Sequence, residues 1–135
     1  MAKMSNQLVG NAGLYFVCYQ LTRRGWNVLP TSRNAKGVDI VMYDASGERM
    51  HTVEVKALSK RDPVGISPGP PTPDFLIVCR KVCEPAPEMF IMRGAEVARL
   101  IQDQKDRGKT SFWIEIRDYE PYQDRWDLIG MGHST

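Results

Sequence analysis

The sequence predicts a single α/β domain, a mixed central β-sheet of about five strands flanked by helices. Three observations lead there. The chain has 135 residues, 42% hydrophobic and 25% charged, which suits one globular domain over 1–135 with a core of its own. An apolar helical stretch comes first and an amphipathic one late. Between and beyond them lie short β-branched or apolar runs separated by Gly- and Pro-bearing turns, the punctuation of a sheet.

Residues 5–24 read as a helix with basic residues in its last turn, stopped by Gly25. Leu8, Val9, Ala12, Tyr15, Phe16, Cys18, Tyr19 and Leu21 make it apolar around most of its girth, so it is expected to be largely buried. Gly10 and Gly13 weaken a helix, which points to close approach of another backbone or to a helix beginning near them. Residues 26–30 form a short strand and 31–36 a polar loop. Residues 62–74, with five prolines and two glycines, are expected to be a long irregular loop, either a plain spacer or the border of a substrate groove. Residues 75–82 carry the continuous apolar run of a covered central strand, 84–87 a turn and 89–92 another strand. An amphipathic helix over 95–107, with Val97, Leu100 and Ile101 inward, ends at Gly108. Residues 111–116 read as a further strand, and the tail aromatics Tyr119, Tyr122 and Trp126 as cover for the core or a dimer partner.

The most informative stretch lies between. Gly37 to Tyr43 and Glu48 to Ala57 flank a turn at Asp44-Ala45-Ser46-Gly47, a β-hairpin pattern. If Asp44 pairs with Gly47, Asp39 lies opposite Thr52. Alternation then puts Thr52, Glu54, Lys56 and Asp39 on one face, with Asp39 and Glu54 diagonal neighbours roughly 7–8 Å apart between backbones. Val38, Ile40, Val53, Val55 and Ala57 point the other way, into a core. Two carboxylates beside a lysine suit Mg²⁺ (or Mn²⁺), which binds through one or two carboxylates with water and substrate phosphate. Such a metal activates water and stabilises charge on a phosphate, and a lysine orients or deprotonates the water. The plain alternative is a half-exposed hairpin whose Glu54 and Lys56 face solvent.

The order of helix, Gly-x-Asp strand, turn and Val-Glu-Val-Lys strand resembles the PD-(D/E)xK nuclease superfamily, the restriction-endonuclease-like fold. Its nearest branch includes the archaeal-type Holliday-junction resolvases and related uncharacterised bacterial proteins. Gly10-Asn11-Ala12-Gly13, Arg23-Arg24-Gly25-Trp26, Val55 to Arg61, the strand from Asp74 and Phe90-Ile91-Met92 extend the likeness over nearly the full chain. The resemblance implies a metal-dependent endonuclease, acting on DNA ahead of RNA. Asp39 and Glu54 would ligate metal with the Val55 carbonyl, Lys56 would position water, and Ser32, Arg33, Lys36, Lys60 and Arg61 would contact nucleic acid. It also implies a homodimer. One position departs: the glutamate usual in the first helix after Gly-x-x-Gly is Leu14, and no acid precedes Asp39. Neither Gln7 nor Gln20 is placed to substitute, one lying about 10 Å along the axis and the other about 240° around it. The alternative is therefore a catalytically impaired nucleic-acid-binding or adaptor module that keeps the fold.

Charge and cysteines narrow the classes. Residues 1–61 hold nine Lys/Arg against four Asp/Glu and 62–135 nine against twelve, so the candidate site falls in the basic half. Those basic residues either face phosphate or are solvated charges, Arg23 and Arg24 favouring a helix end. Cys18, Cys79 and Cys83 fit a reducing compartment, with Cys79 and Cys83 expected on one side of a strand as small core residues. With only His51 and His133 beside them, a structural zinc site is disfavoured. No apolar run spans a bilayer and no signal-peptide pattern opens the sequence, so cytoplasmic residence is expected.

Overall fold

Helix α1 (Asn6–Arg23) begins where Ser5 can cap it: the Ser5 hydroxyl accepts the Leu8 N–H at 3.2 Å, satisfying a donor the first turn leaves free. It ends as Gly25 takes φ +88°, the left-handed conformation of helix termini. The computed structural model describes residues 3–32 and 37–133. Within it α1 buries one stripe, Val9, Gly13, Val17 and Leu21, at four-residue spacing. Contrary to expectation, its far side is open, with Tyr15 63% and Tyr19 58% exposed. Apolar composition all round did not mean burial all round, because a sheet covers a helix on one side only. Gly13 is needed for contact: a Cβ there would lie 2.5 Å from the Ala57 Cβ. At Gly10 a Cβ would meet nothing.

The central sheet has five strands in the order β1 (Asn27–Pro30), β2 (Ile40–Tyr43), β3 (Met50–Leu58), β5 (Phe75–Arg80) and β6 (Glu88–Arg93). β1, β2 and β3 form an antiparallel meander, β3 and β5 run parallel, and β5 and β6 are antiparallel. This is the mixed sheet the sequence predicts, with helices on its two sides. β5 is buried at every residue, as a strand covered on both faces must be. Side-chain alternation then splits the core. On one face Ile40, Met42, Val53, Ile77, Cys79 and Ile91 meet α1, and on the other Leu76, Val78, Phe90 and Met92 meet α2 (Gly94–Asp106) and its neighbours. Each fully buried Leu, Ile or Phe contributes roughly 1.5–3 kcal/mol.

A parallel β3–β5 pair needs a crossover, and residues 59–74 supply it. They are not loop throughout: Val64–Ile66 forms β4, which pairs with β7 (Phe112–Ile114) in a second, two-stranded sheet. The three-residue alternation Val64-Gly65-Ile66 is too short to register against so many prolines, and its partner strand is distant in sequence. The crossover is pinned at its far end too. Asp74 accepts the Thr52 N–H and donates its own to the Thr52 hydroxyl, and the Asp74 carbonyl takes the Gly94 N–H at 2.7 Å.

The strand expected to reach residue 82 stops at Arg80, where Lys81 turns the chain with φ +58°. Cys79 is therefore buried, its thiol pushed up to about 12 by burial, but Cys83 lies beyond the strand and is exposed. In the tail, α3 (Ile116–Tyr119) delivers a fully buried Tyr119, while Tyr122 and Trp126 are partly covered. Trp126 stacks under the Arg24 guanidinium at 4.0 Å, so the tail aromatics do close over the core. No described helix is long and apolar enough to cross a membrane.

Candidate nucleic-acid interface

The hairpin register differs from the expected one by two residues. Ile40 faces Val53, Val41 faces Thr52 and Tyr43 faces Met50, because the turn is wider: the Asp44 N–H donates to the Arg49 carbonyl at 3.0 Å. Asp44 builds that turn with its own side chain, accepting the Glu48 and Arg49 N–H groups and the Arg49 Nε–H. Burial pushes its carboxyl up, but these bonds outweigh it and hold the group at about 2. A shift of two preserves the face of every strand residue. Continuing the register past Ile40 brings Asp39 level with Glu54, where Thr52 was expected.

Glu54 and Lys56 are brought together. Lys56 Nζ lies 3.3 Å from Glu54 Oε1, with the two side chains 30% and 19% exposed. They open onto the face of β3 that looks toward α2, where they line a cavity of about 420 Å³. Its walls are the 66–73 segment and the α2 positions Val97, Ala98, Ile101, Gln102 and Lys105.

Asp39 stands differently. It lies at a bend just before β2, so strand alternation does not hold its side chain. Its Oδ2 accepts the Val55 N–H at 2.7 Å while its carbonyl takes the Thr31 N–H. Strand N–H groups point in the plane of the sheet, so this carboxylate is drawn between the two faces. It lines a separate groove against α1, with Gly10, Leu14, Ser32, Val55 and Ala57. The expectation of one shared face is thus corrected for Asp39, whose carboxylate a bend and the Val55 main-chain donor draw between the faces. Leu14 lines the same groove as Asp39.

For a divalent metal, the donors available here are the Asp39 and Glu54 carboxylates and the Val55 carbonyl. Asp39 Oδ1 and Glu54 Oε2 have no hydrogen-bond partner among the described residues. Hard oxygen donors of this number fit Mg²⁺, which keeps several waters. No cluster of three or more His, Cys, Asp or Glu side chains with metal-binding geometry occurs among the described residues.

Of the expected nucleic-acid contacts, Ser32 borders the Asp39 groove and Lys60 is exposed. Arg33 and Lys36 lie outside the described residues. Arg61 is engaged elsewhere: its guanidinium forks onto Glu120 at 3.1 and 3.0 Å, and Arg80 reaches the same carboxylate at 2.9 Å. Arg61 and then Arg80 hold the Glu120 carboxyl at about 2, far below its usual value. Of the α2 residues lining the cavity, sequence reading placed Val97 and Ile101 inward but missed Ala98, Gln102 and Lys105. Ala98, Ile101, Gln102 and Lys105 recur at i, i+3, i+4, i+7, a stripe that could have marked a second helix face beside the buried one.

No family model matches this sequence, and no curated protein does. Similarity appears among solved structures: a bacterial homing endonuclease, I-Ssp6803I, superposes with a TM-score of 0.63 over 93% of this chain and 93% of its own, at 18% identity. That likeness is one of fold: this mixed α/β domain has the architecture found in an endonuclease.

Proposed function

We propose that the protein is a metal-dependent endonuclease of the PD-(D/E)xK type, hydrolysing phosphodiester bonds in DNA ahead of RNA. The observation that carries this reading is the Glu54–Lys56 pair, 3.3 Å apart on β3 and level with Asp39, in a domain shaped like a homing endonuclease. Asp39, Glu54 and the Val55 carbonyl would hold Mg²⁺ or Mn²⁺. A bound divalent ion there supplies an acidified water and stabilisation of charge on the phosphate. Lys56 faces a carboxylate and so acts as a donor: it orients the attacking water and offsets negative charge gathering on the phosphate oxygens. Water oxygen bonds to phosphorus and gives up a proton to solvent, the P–O bond to the leaving sugar oxygen breaks, and solvent returns a proton to that oxygen. Ser32 and Lys60, with Arg33 and Lys36, would steady the strand through its phosphates. A homodimer in the cytoplasm belongs to the same proposal.

Incubation with branched, nicked and linear DNA in Mg²⁺ or Mn²⁺ tests it. Cleavage is expected, with Glu54→Ala and Lys56→Ala each lowering the rate at least 100-fold. Cleavage that survives both substitutions would refute the mechanism. Leu14 favours a second reading, a binding or adaptor module that keeps the fold without the chemistry, because an apolar side chain occupies Asp39's groove. Calorimetry with Mn²⁺ separates the two: the adaptor shows no metal binding that depends on Asp39.

A further inference from the structure

We propose that the cavity over Glu54 and Lys56 receives an unpaired nucleotide, making the substrate single-stranded or locally unpaired nucleic acid; this rests on the reading above. The pair is recessed, its side chains 19% and 30% exposed on the floor of a cavity of about 420 Å³. That volume falls in the range of roughly 300–1,000 Å³ typical of small-molecule sites and takes one base with its sugar. A stacked duplex is far too wide to enter. For a phosphate to meet Glu54 and Lys56, the strand carrying it must leave the stack there.

The lining agrees with a base. Ile66, Leu76, Val97 and Ile101 present apolar surface suited to the faces of a heterocycle, and the prolines of 66–73 form a second wall. Lys56 on the floor and Lys105 in the last turn of α2 add positive charge for the flanking phosphates. The cavity is also held open before any ligand arrives. One end of the 66–73 wall is fixed by β4 pairing with β7, and the other by the Thr52–Asp74 and Asp74–Gly94 hydrogen bonds. A preformed site loses little ordering entropy on binding.

The test uses the whole protein without divalent metal and two labelled oligonucleotides, a duplex with a central unpaired 2-aminopurine and the same duplex fully paired. We expect at least tenfold tighter binding to the unpaired form, with a change in 2-aminopurine emission. Ala98→Trp, which fills the cavity from an exposed helix position, should remove that preference and leave paired-duplex binding unchanged. Gln102→Glu, an isosteric change on the rim, should weaken binding of the unpaired form through charge alone, so the test survives if the first variant folds poorly. Equal binding of the two oligonucleotides, or a preference that outlasts both substitutions, would overturn the inference while cleavage assays still support the nuclease. Failure to bind either oligonucleotide would overturn both.

Discussion

Asp39 and Leu14 carry the sharpest question at the residue level. Asp39 reaches the Val55 N–H and opens toward α1, where Leu14 lines the same groove. Leu14 is only partly buried, so a carboxylate there keeps access to water and to Asp39 and avoids the heavy penalty of an isolated buried charge. Leu14→Glu is expected to raise Mn²⁺ affinity about tenfold or more, the scale on which supporting groups tune a metal site. Titration calorimetry of the variant against the parent reads this directly. Unchanged affinity, with the fold intact, would mean that Asp39 is not a metal ligand.

Packing between elements depends on two glycines. Gly13 lets α1 settle on β3, since a Cβ there would stand 2.5 Å from the Ala57 Cβ, and neither atom belongs to a side chain that can swing away. Gly13→Ala should therefore destabilise by about 1–3 kcal/mol, the range of overpacking. Denaturant unfolding of Gly13→Ala with Ala57→Gly should recover much of that loss, because the second change removes the overlapping atom. Gly94 plays the corresponding part on the other face. It starts α2 directly against the crossover, where a Cβ would overlap the Pro73 carbonyl. Gly94→Ala is expected to displace the 66–73 wall, and weakened binding of an unpaired oligonucleotide should accompany the fall in melting temperature.

Across the whole molecule, one ionic network ties the tail to the sheet. Arg80 is buried on β5 and bonds Glu88 at 2.9 Å and Glu120 at 2.9 Å, while Arg61, from the crossover, closes on Glu120 from outside. Tyr119 completes it, donating to the Asp62 carbonyl at 2.8 Å. Glu120 is held at about 2 against an ordinary 4.5, so folding depresses its titration. Its stabilisation is complete above the unfolded value and disappears as pH falls through the folded one. Melting temperature should thus decline between pH 4.5 and about 2. Glu120→Gln should flatten that decline and lower stability at neutral pH, where Arg80 loses a charged partner. An acid limb of unchanged slope in this variant would assign the loss to other carboxylates, Asp44 among them.

Local chemistry was enough to place most elements. Ser5 and Gly25 bounded α1, the apolar run of β5 announced a central strand, and the Gly-Val-Asp and Glu-Val-Lys segments marked the hairpin and the candidate site. These features depend on neighbours in sequence, through capping, alternation and turn chemistry. The hairpin register escaped because the side chain of Asp44 widens the turn by bonding Glu48 and Arg49, and the β4–β7 pair escaped because its strands meet only across the fold. The engagement of Arg61 by Glu120 likewise required the tail to return to the crossover. Sequence alone marked Asp39, Glu54 and Lys56 as the candidate site residues and predicted the mixed sheet that carries them. Tertiary structure decided that Glu54 and Lys56 face a cavity under α2 while the Val55 N–H draws the Asp39 carboxylate between the two faces, at the border of the groove against α1, because bends and long-range hydrogen bonds aim side chains in ways that periodicity does not encode.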